Sequence, residues 1–162
     1  MGTAIRSIWP SFSLIASLTV LFGCSRHHDV KIAKLLIQEK PINRLQRYLF
    51  PLDVTLPQDV AIVLRQPAGC VSWEEALVQC ENLEVSLVVR ETTGQSHTYR
   101  LGRDLSANAA LYSSPRSNGR FDPGWRLTNP KCRIVEIEML IISGADGFAY
   151  PIEVELVKPR EF

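Results

Sequence analysis

From Leu52 onward, apolar side chains fall at every second position in a series of short runs. That period restricts the fold more than any other feature of the chain. "LDVTL" puts Leu52, Val54 and Leu56 on one face and Asp53 and Thr55 on the other. "VAIVLR" aligns Val60, Ile62 and Leu64, and "LEVSLVVR" aligns Leu83, Val85, Leu87 and Val89. "HTYRL" follows across the turn "ETTGQ", and "RIVEIEMLII" and "YPIEVELV" flank "SGADG". A side chain on a strand points to alternate faces, so each run reads as a strand with one face buried. Several such strands separated by Gly, Pro and Asn turns predict a mainly β fold over 51–162, an antiparallel β-sandwich or partly open barrel.

Two regions depart from this period. Between Cys70 and Cys80, "SWEEALVQ" opens with Ser72-x-x-Glu75, the pattern of a capping box, and predicts one helix. Residues 24–50 show helical spacing instead: Ile32, Leu35 and Leu36 behind an Asp29 cap and before Pro41, then Ile42, Leu45 and Leu49 before Pro51. They read as two short helices, or as a tether that packs on the domain.

Further upstream, an apolar stretch from Ser11 to Gly23 follows a single positive side chain, Arg6, and ends in Leu21-Phe22-Gly23-Cys24. Its length suits a signal-peptide core and falls short of the ~20 residues of a spanning helix. These four residues resemble the lipobox of bacterial lipoproteins, with a Leu three before the cysteine, a small residue just before it, then the thiol. Phe22 is bulkier than that family usually carries. The resemblance implies that 1–23 is a signal peptide and that Cys24 carries the lipid. It also implies a bacterial envelope location, and Ser25 in place of Asp favours the outer membrane, with the domain facing the periplasm. Ordinary cleavage after "GCS" and an uncut anchor are the competing readings. Acyl chains at ~0.8 kcal/mol per buried CH₂ would anchor the chain stably.

The full chain carries 18 Lys+Arg against 17 Asp+Glu, a balance without the electrostatic footprint of a nucleic-acid binder. Charge is uneven along it. Arg26, Lys31, Lys34, Lys40, Arg44 and Arg47 outnumber Asp29 and Glu39 near the anchor, and the remainder is acidic. The basic stretch suits either anionic headgroups or an ordinary solvated face.

Cys70, Cys80 and Cys132 follow the lipobox cysteine. An oxidising envelope favours one disulfide among them, with Cys70–Cys80 the first choice and either pairing with Cys132 open. Neither C-x-x-C nor a Cys/His zinc spacing occurs, so no metal or other cofactor is expected. The motifs G-x-S-x-G, H-E-x-x-H, G-x-x-x-x-G-K and G-x-G-x-x-G are absent too. Of the three histidines, His27 and His28 fall in the tether, and His97 shares a face with Tyr99 and Leu101, which suits packing better than catalysis.

Two stretches carry binding chemistry. A hairpin turning between Ala145 and Asp146 would set Glu138 opposite Glu153 and Glu136 opposite Glu155, all on one face. Val135, Ile137 and Met139 would take the other face. Opposed like charges destabilise a sheet, so compensation by Arg90 or Arg100 is expected. The sharper alternative is a docking face for a basic partner, with a bound cation behind it. The second stretch, 102–131, reads as a long loop rich in Ser, Asn, Gly, Pro and Arg, with Tyr112, Arg116, Arg120, Phe121 and Trp125 as ligand-binding candidates. Its rings and polar groups suit sugars, unless Trp125 simply starts a core strand "WRL". The expected role is that of a non-catalytic accessory subunit, anchored in the membrane through its lipid and docking on an envelope protein assembly. Binding of an envelope glycan or small ligand through 102–131 is the alternative, and an enzyme comes third.

Overall fold

A computed structural model describes residues 30–38, 45–128 and 131–159. Its strands are β1 (Val30–Ile37), β2 (Gln46–Leu56), β3 (Asp59–Arg65), β4 (Glu84–Glu91), β5 (Ser96–Leu101), β6 (Ala109–Pro115), β7 (Phe121–Thr128), β8 (Cys132–Ser143) and β9 (Ile152–Lys158). One helix, α1 (Trp73–Asn82), separates β3 from β4, and a 3₁₀ turn, Ala145–Gly147, precedes β9. The strands form two antiparallel sheets, ordered β1-β9-β3-β7-β6 and β2-β8-β4-β5. The architecture is the expected sandwich and not a closed barrel.

The period-two runs form the core between the sheets. Val60, Ile62 and Leu64 of β3 meet Val85, Leu87 and Val89 of β4, together with Trp125, Ile137, Met139, Val154 and Leu156. Each such side chain contributes about 1.5–3 kcal/mol on leaving water. β3 is buried on both faces because the middle of the five-stranded sheet is also covered outside, where Ala61 and Val63 pack with Val157 and Tyr112.

Residues 30–37 and 46–50 are strands, which corrects the reading of two short helices. β1 pairs with β9, so Ala33, Leu35 and Ile37 stand beside Leu156, Val154 and Ile152. A register shift between Lys31 and Ala33 lets Ile32 reach the core as well, and this bulge is what imitated a helical spacing. β2 alternates through Pro51, with Tyr48, Phe50, Leu52 and Val54 turned inward. Pro51 is tolerated there because β2 is an edge strand. The tether residues Cys24, His27 and His28 lie outside the described residues.

The acidic hairpin is also corrected. β8 and β9 do not pair: β8 lies in the four-stranded sheet and β9 in the five-stranded one. Register shifts in β2 and β4 opposite residues 134–136 place Ile134 inward and leave Val135 exposed, where strict alternation predicts the reverse. Segment 102–131 is mostly the hairpin β6–β7, not a loop. Trp125 is fully buried at the centre of β7, so the core reading of that residue holds.

α1 begins where expected. The Glu75 amide donates to Ser72 Oγ at 3.2 Å, while the Glu75 carboxylate accepts from the Val71 amide at 2.7 Å, one residue before the usual capping-box partner. The helix packs Ala76 and Cys80 inward, against β6 and β7.

Candidate functional site

The outer face of the five-stranded sheet carries a network of charges at the end where β3 finishes and β7 starts. Arg65, last in β3, alternates away from the core. Its Nε donates to Glu155 Oε2 on β9 at 2.6 Å, and its Nη1 to Asp122 Oδ2 on β7 at 2.6 Å. Nη2 reaches Ser114 Oγ at 3.4 Å. Asp122 is fully buried and accepts from a second guanidinium, since Arg116 Nε stands 2.7 Å from its Oδ2 and Nη2 bonds its Oδ1. Arg116 also donates to the carbonyls of Gln66 and Pro67, so one buried carboxylate gathers the β6–β7 turn, the segment after β3 and the sheet itself. Gln66 extends the tie, donating to Gln79 of α1 at 2.6 Å and accepting from the Ala149 amide at 2.9 Å.

Glu155 is shared by Lys31 and Arg65, and Lys34 pairs with Glu153. Burial pushes the Glu155 carboxyl up, but its bonds to Lys31 and Arg65 outweigh this and hold it below the ordinary 4.5. A carboxylate lowered in the folded state stabilises the fold above its unfolded value, and that contribution fades as pH falls through the folded one.

Beside this network opens a cleft of about 670 Å³, lined by Arg65, Gln66, Pro67, Pro115, Arg116, Ser117, Asn118, Pro151 and Glu153. It joins one residue from each stretch singled out in the sequence, Arg116 and Glu153, through Arg65, which sequence reasoning missed. Asp122 and Gln66 were missed too. A charge closing the otherwise apolar run "VAIVLR", and an Asp inside a strand before Pro-Gly, were the available signals.

Glu136 and Glu138 lie elsewhere, on the outer face of the four-stranded sheet. Arg90 holds both, at 2.8 and 2.7 Å, and Arg47 adds a 3.0 Å contact to Glu138. Compensation therefore comes from Arg90 as expected, joined by Arg47, and Arg100 forms no ion pair among the described residues. The four carboxylates do not lie on one face: Glu136 and Glu138 belong to one sheet, Glu153 and Glu155 to the other. Tyr112 packs on Ala61, Val63 and Val157, and Phe121 pairs its backbone with Cys70. With Trp125 in the core, the 102–131 aromatics form no open stacking platform; Arg120 sits half-buried in the β6–β7 turn.

No protein family, curated protein or solved structure was found that matches the chain.

At the rim of the four-stranded sheet, His97 Nε2 lies 2.6 Å from Glu91 Oε1, and Thr93 Oγ1 donates to Oε2 at 3.0 Å. Bonds from His97 and Thr93 hold the Glu91 carboxyl low against its burial. Among the described residues no group of three or more His, Cys, Asp or Glu could hold a metal ion, and no helix is long and apolar enough to cross a membrane.

The disulfide expectation is overturned, because Cys70, Cys80 and Cys132 are all free thiols. The fold turns Cys80 into β7, where its Sγ donates to the Gly124 carbonyl at 3.1 Å, while Cys70 Sγ donates to Gln79 Oε1 at 3.4 Å. Burial pushes the Cys70 thiol up to about 11 and Cys80 higher still. In a Cys24→Ser protein purified without reductant, a thiol reagent should count all three after denaturation and leave Cys70 and Cys80 nearly unreactive in the native state. A denatured count of one thiol would restore the disulfide.

Proposed function

We propose that this chain is a lipid-anchored, non-catalytic subunit of the bacterial envelope that docks on a protein assembly through the cleft-bearing end of its five-stranded sheet. The observation that carries the reading is the relation between that cleft and the chain's entry point. Val30, six residues after Cys24, begins β1 beside Lys158, whereas Arg65, Pro115 and Glu153 stand at the opposite end of the same sheet. Eight strand residues at ~3.3 Å each separate the two ends by roughly 20–25 Å. A domain tethered at Cys24 would hold the cleft away from the bilayer, facing the periplasm from the outer membrane. Pairing of the sheet carboxylates within the chain argues against docking through a bare acidic face, and the loss of the aromatic platform weighs against a glycan.

The test is crosslinking in cells followed by purification from detergent-solubilised membranes. Ser117→Trp fills the cleft and replaces none of the residues that pair with Asp122. It should leave the melting temperature unchanged and remove the crosslinked partners. Cys24→Ser, carried behind an ordinary cleavable signal peptide in place of residues 1–23, should release the protein from the membrane. Partners retained by a folded Ser117→Trp protein would rule out the cleft, and membrane retention of Cys24→Ser would rule out the lipid anchor.

A further inference from the structure

The chain leaves the cleft wall at Gln66 and Pro67 and within a few residues builds a surface of different chemistry. Val71, Trp73 and Val78 are 68%, 52% and 53% exposed, a concentration of large apolar side chains in water on one short helix and its lead-in. Residues four apart are neighbours on a helix, so Trp73, Leu77 and Glu81 form one stripe and Glu74 and Val78 the next. Ala76 and Cys80 occupy the buried side. Every charged residue of α1 is acidic. Glu75 is engaged by the Val71 amide, while Glu74 and Glu81 make no ion pair among the described residues.

Most strand carboxylates of the domain are treated differently, Glu84 being an exception that meets only Ser143 Oγ among the described residues. Asp53 is held by Arg133, Asp59 by Arg126, Asp122 by Arg65 and Arg116, and Glu136 and Glu138 by Arg90. Glu153 is held by Lys34, and Glu155 by Lys31 and Arg65. Among the described residues, only on α1 do uncompensated carboxylates alternate with an exposed tryptophan and valine. Exposed Trp is the residue that most often anchors an interface, and unpaired charge around it steers and orients an oppositely charged partner.

We propose that the outer face of α1 is a docking surface for a basic, amphipathic segment of a partner protein. Apolar residues of that segment would cover Trp73 and Val78, while its Lys or Arg side chains pair with Glu74 and Glu81. An anionic membrane is disfavoured by the same carboxylates. The inference rests on the docking reading and names the chemistry of the partner, at a surface separate from the cleft.

The experiment uses the mature lipidated protein in detergent, which after loss of residues 1–23 carries exposed Trp73 and buried Trp125 as its tryptophans. A synthetic helical Lys/Leu peptide should shift the Trp73 emission to the blue and shield it from iodide, and a Glu/Leu peptide of the same length should not. The double variant Glu74→Gln/Glu81→Gln, which keeps the fold, should bind the Lys/Leu peptide roughly tenfold more weakly, the loss expected for two exposed ion pairs. Ser117→Phe, which fills the cleft without adding a tryptophan, should leave this binding unchanged, so failure of the cleft and failure of the helix face are told apart. In cells, a photocrosslinking residue at Val78 should capture a partner through a Lys/Arg-bearing segment. Unweakened binding by the double variant would overturn the proposal. So would equal protection of Trp73 by anionic phospholipid vesicles, or protection by self-association of the chain alone.

Discussion

Asp122→Asn is expected to lower the stability of the domain by about 3–5 kcal/mol, the range for removing one partner from a buried ion pair. The carboxylate is fully buried between Arg65 and Arg116, and an amide in its place removes the charge and turns an NH₂ group toward two guanidinium donors. Arg65 keeps Glu155, but Arg116 keeps only the carbonyls of Gln66 and Pro67. Denaturant unfolding at pH 7, where Glu155 is ionised, measures the effect. Arg116→Met gives the contrast: it leaves Asp122 paired with Arg65, and a smaller loss of about 1–2 kcal/mol is expected. A change below about 1 kcal/mol in Asp122→Asn would mean that the carboxylate does not hold this end of the sheet together.

Gly144→Ala is expected to cost at least about 3 kcal/mol, from two independent sources. Gly144 sits at φ +82°, in the left-handed region that side chains disfavour. An added Cβ would also overlap the carbonyl oxygen of Asn82 and crowd Leu83 Cα at 2.9 Å. Both obstacles are backbone atoms at the end of α1, so no side-chain rotation relieves them. Gly119→Ala separates the two sources. It has a similar φ of +77° and nothing within 4 Å of the added carbon, so only the conformational cost remains. Thermal unfolding of the two variants side by side should show a much larger fall in Tm for Gly144→Ala; equal falls would mean that the Asn82 contact yields.

How far the chain could be read depended on the range of each signal. The helix after Cys70 was legible because its cap is built from neighbours, Ser72 and Glu75. The hairpin β4–β5 was legible because its turn lies between two alternating runs. Residues 30–37 misled because the bulge near Ile32 gives a strand a locally helical spacing, and the need of β9 for an edge partner cannot be seen from that segment. The acidic hairpin was not legible because adjacency in sequence does not require adjacency in a sheet, and the 3₁₀ turn carries the chain from one sheet to the other. The cysteines misled because a short separation does not tell which way a helix turns Cys80.

The sequence by itself determined the strand period, the sandwich class and the helix start, all of which follow from side chains a few residues apart on a half-buried surface. Only the tertiary structure decided the site. Arg65, Asp122, Arg116 and Glu155 meet because β9 inserts between β1 and β3 while β7 takes the other side of β3. Their ion pairs join positions up to 90 residues apart, and no local pattern encodes which charges a sheet order will bring together.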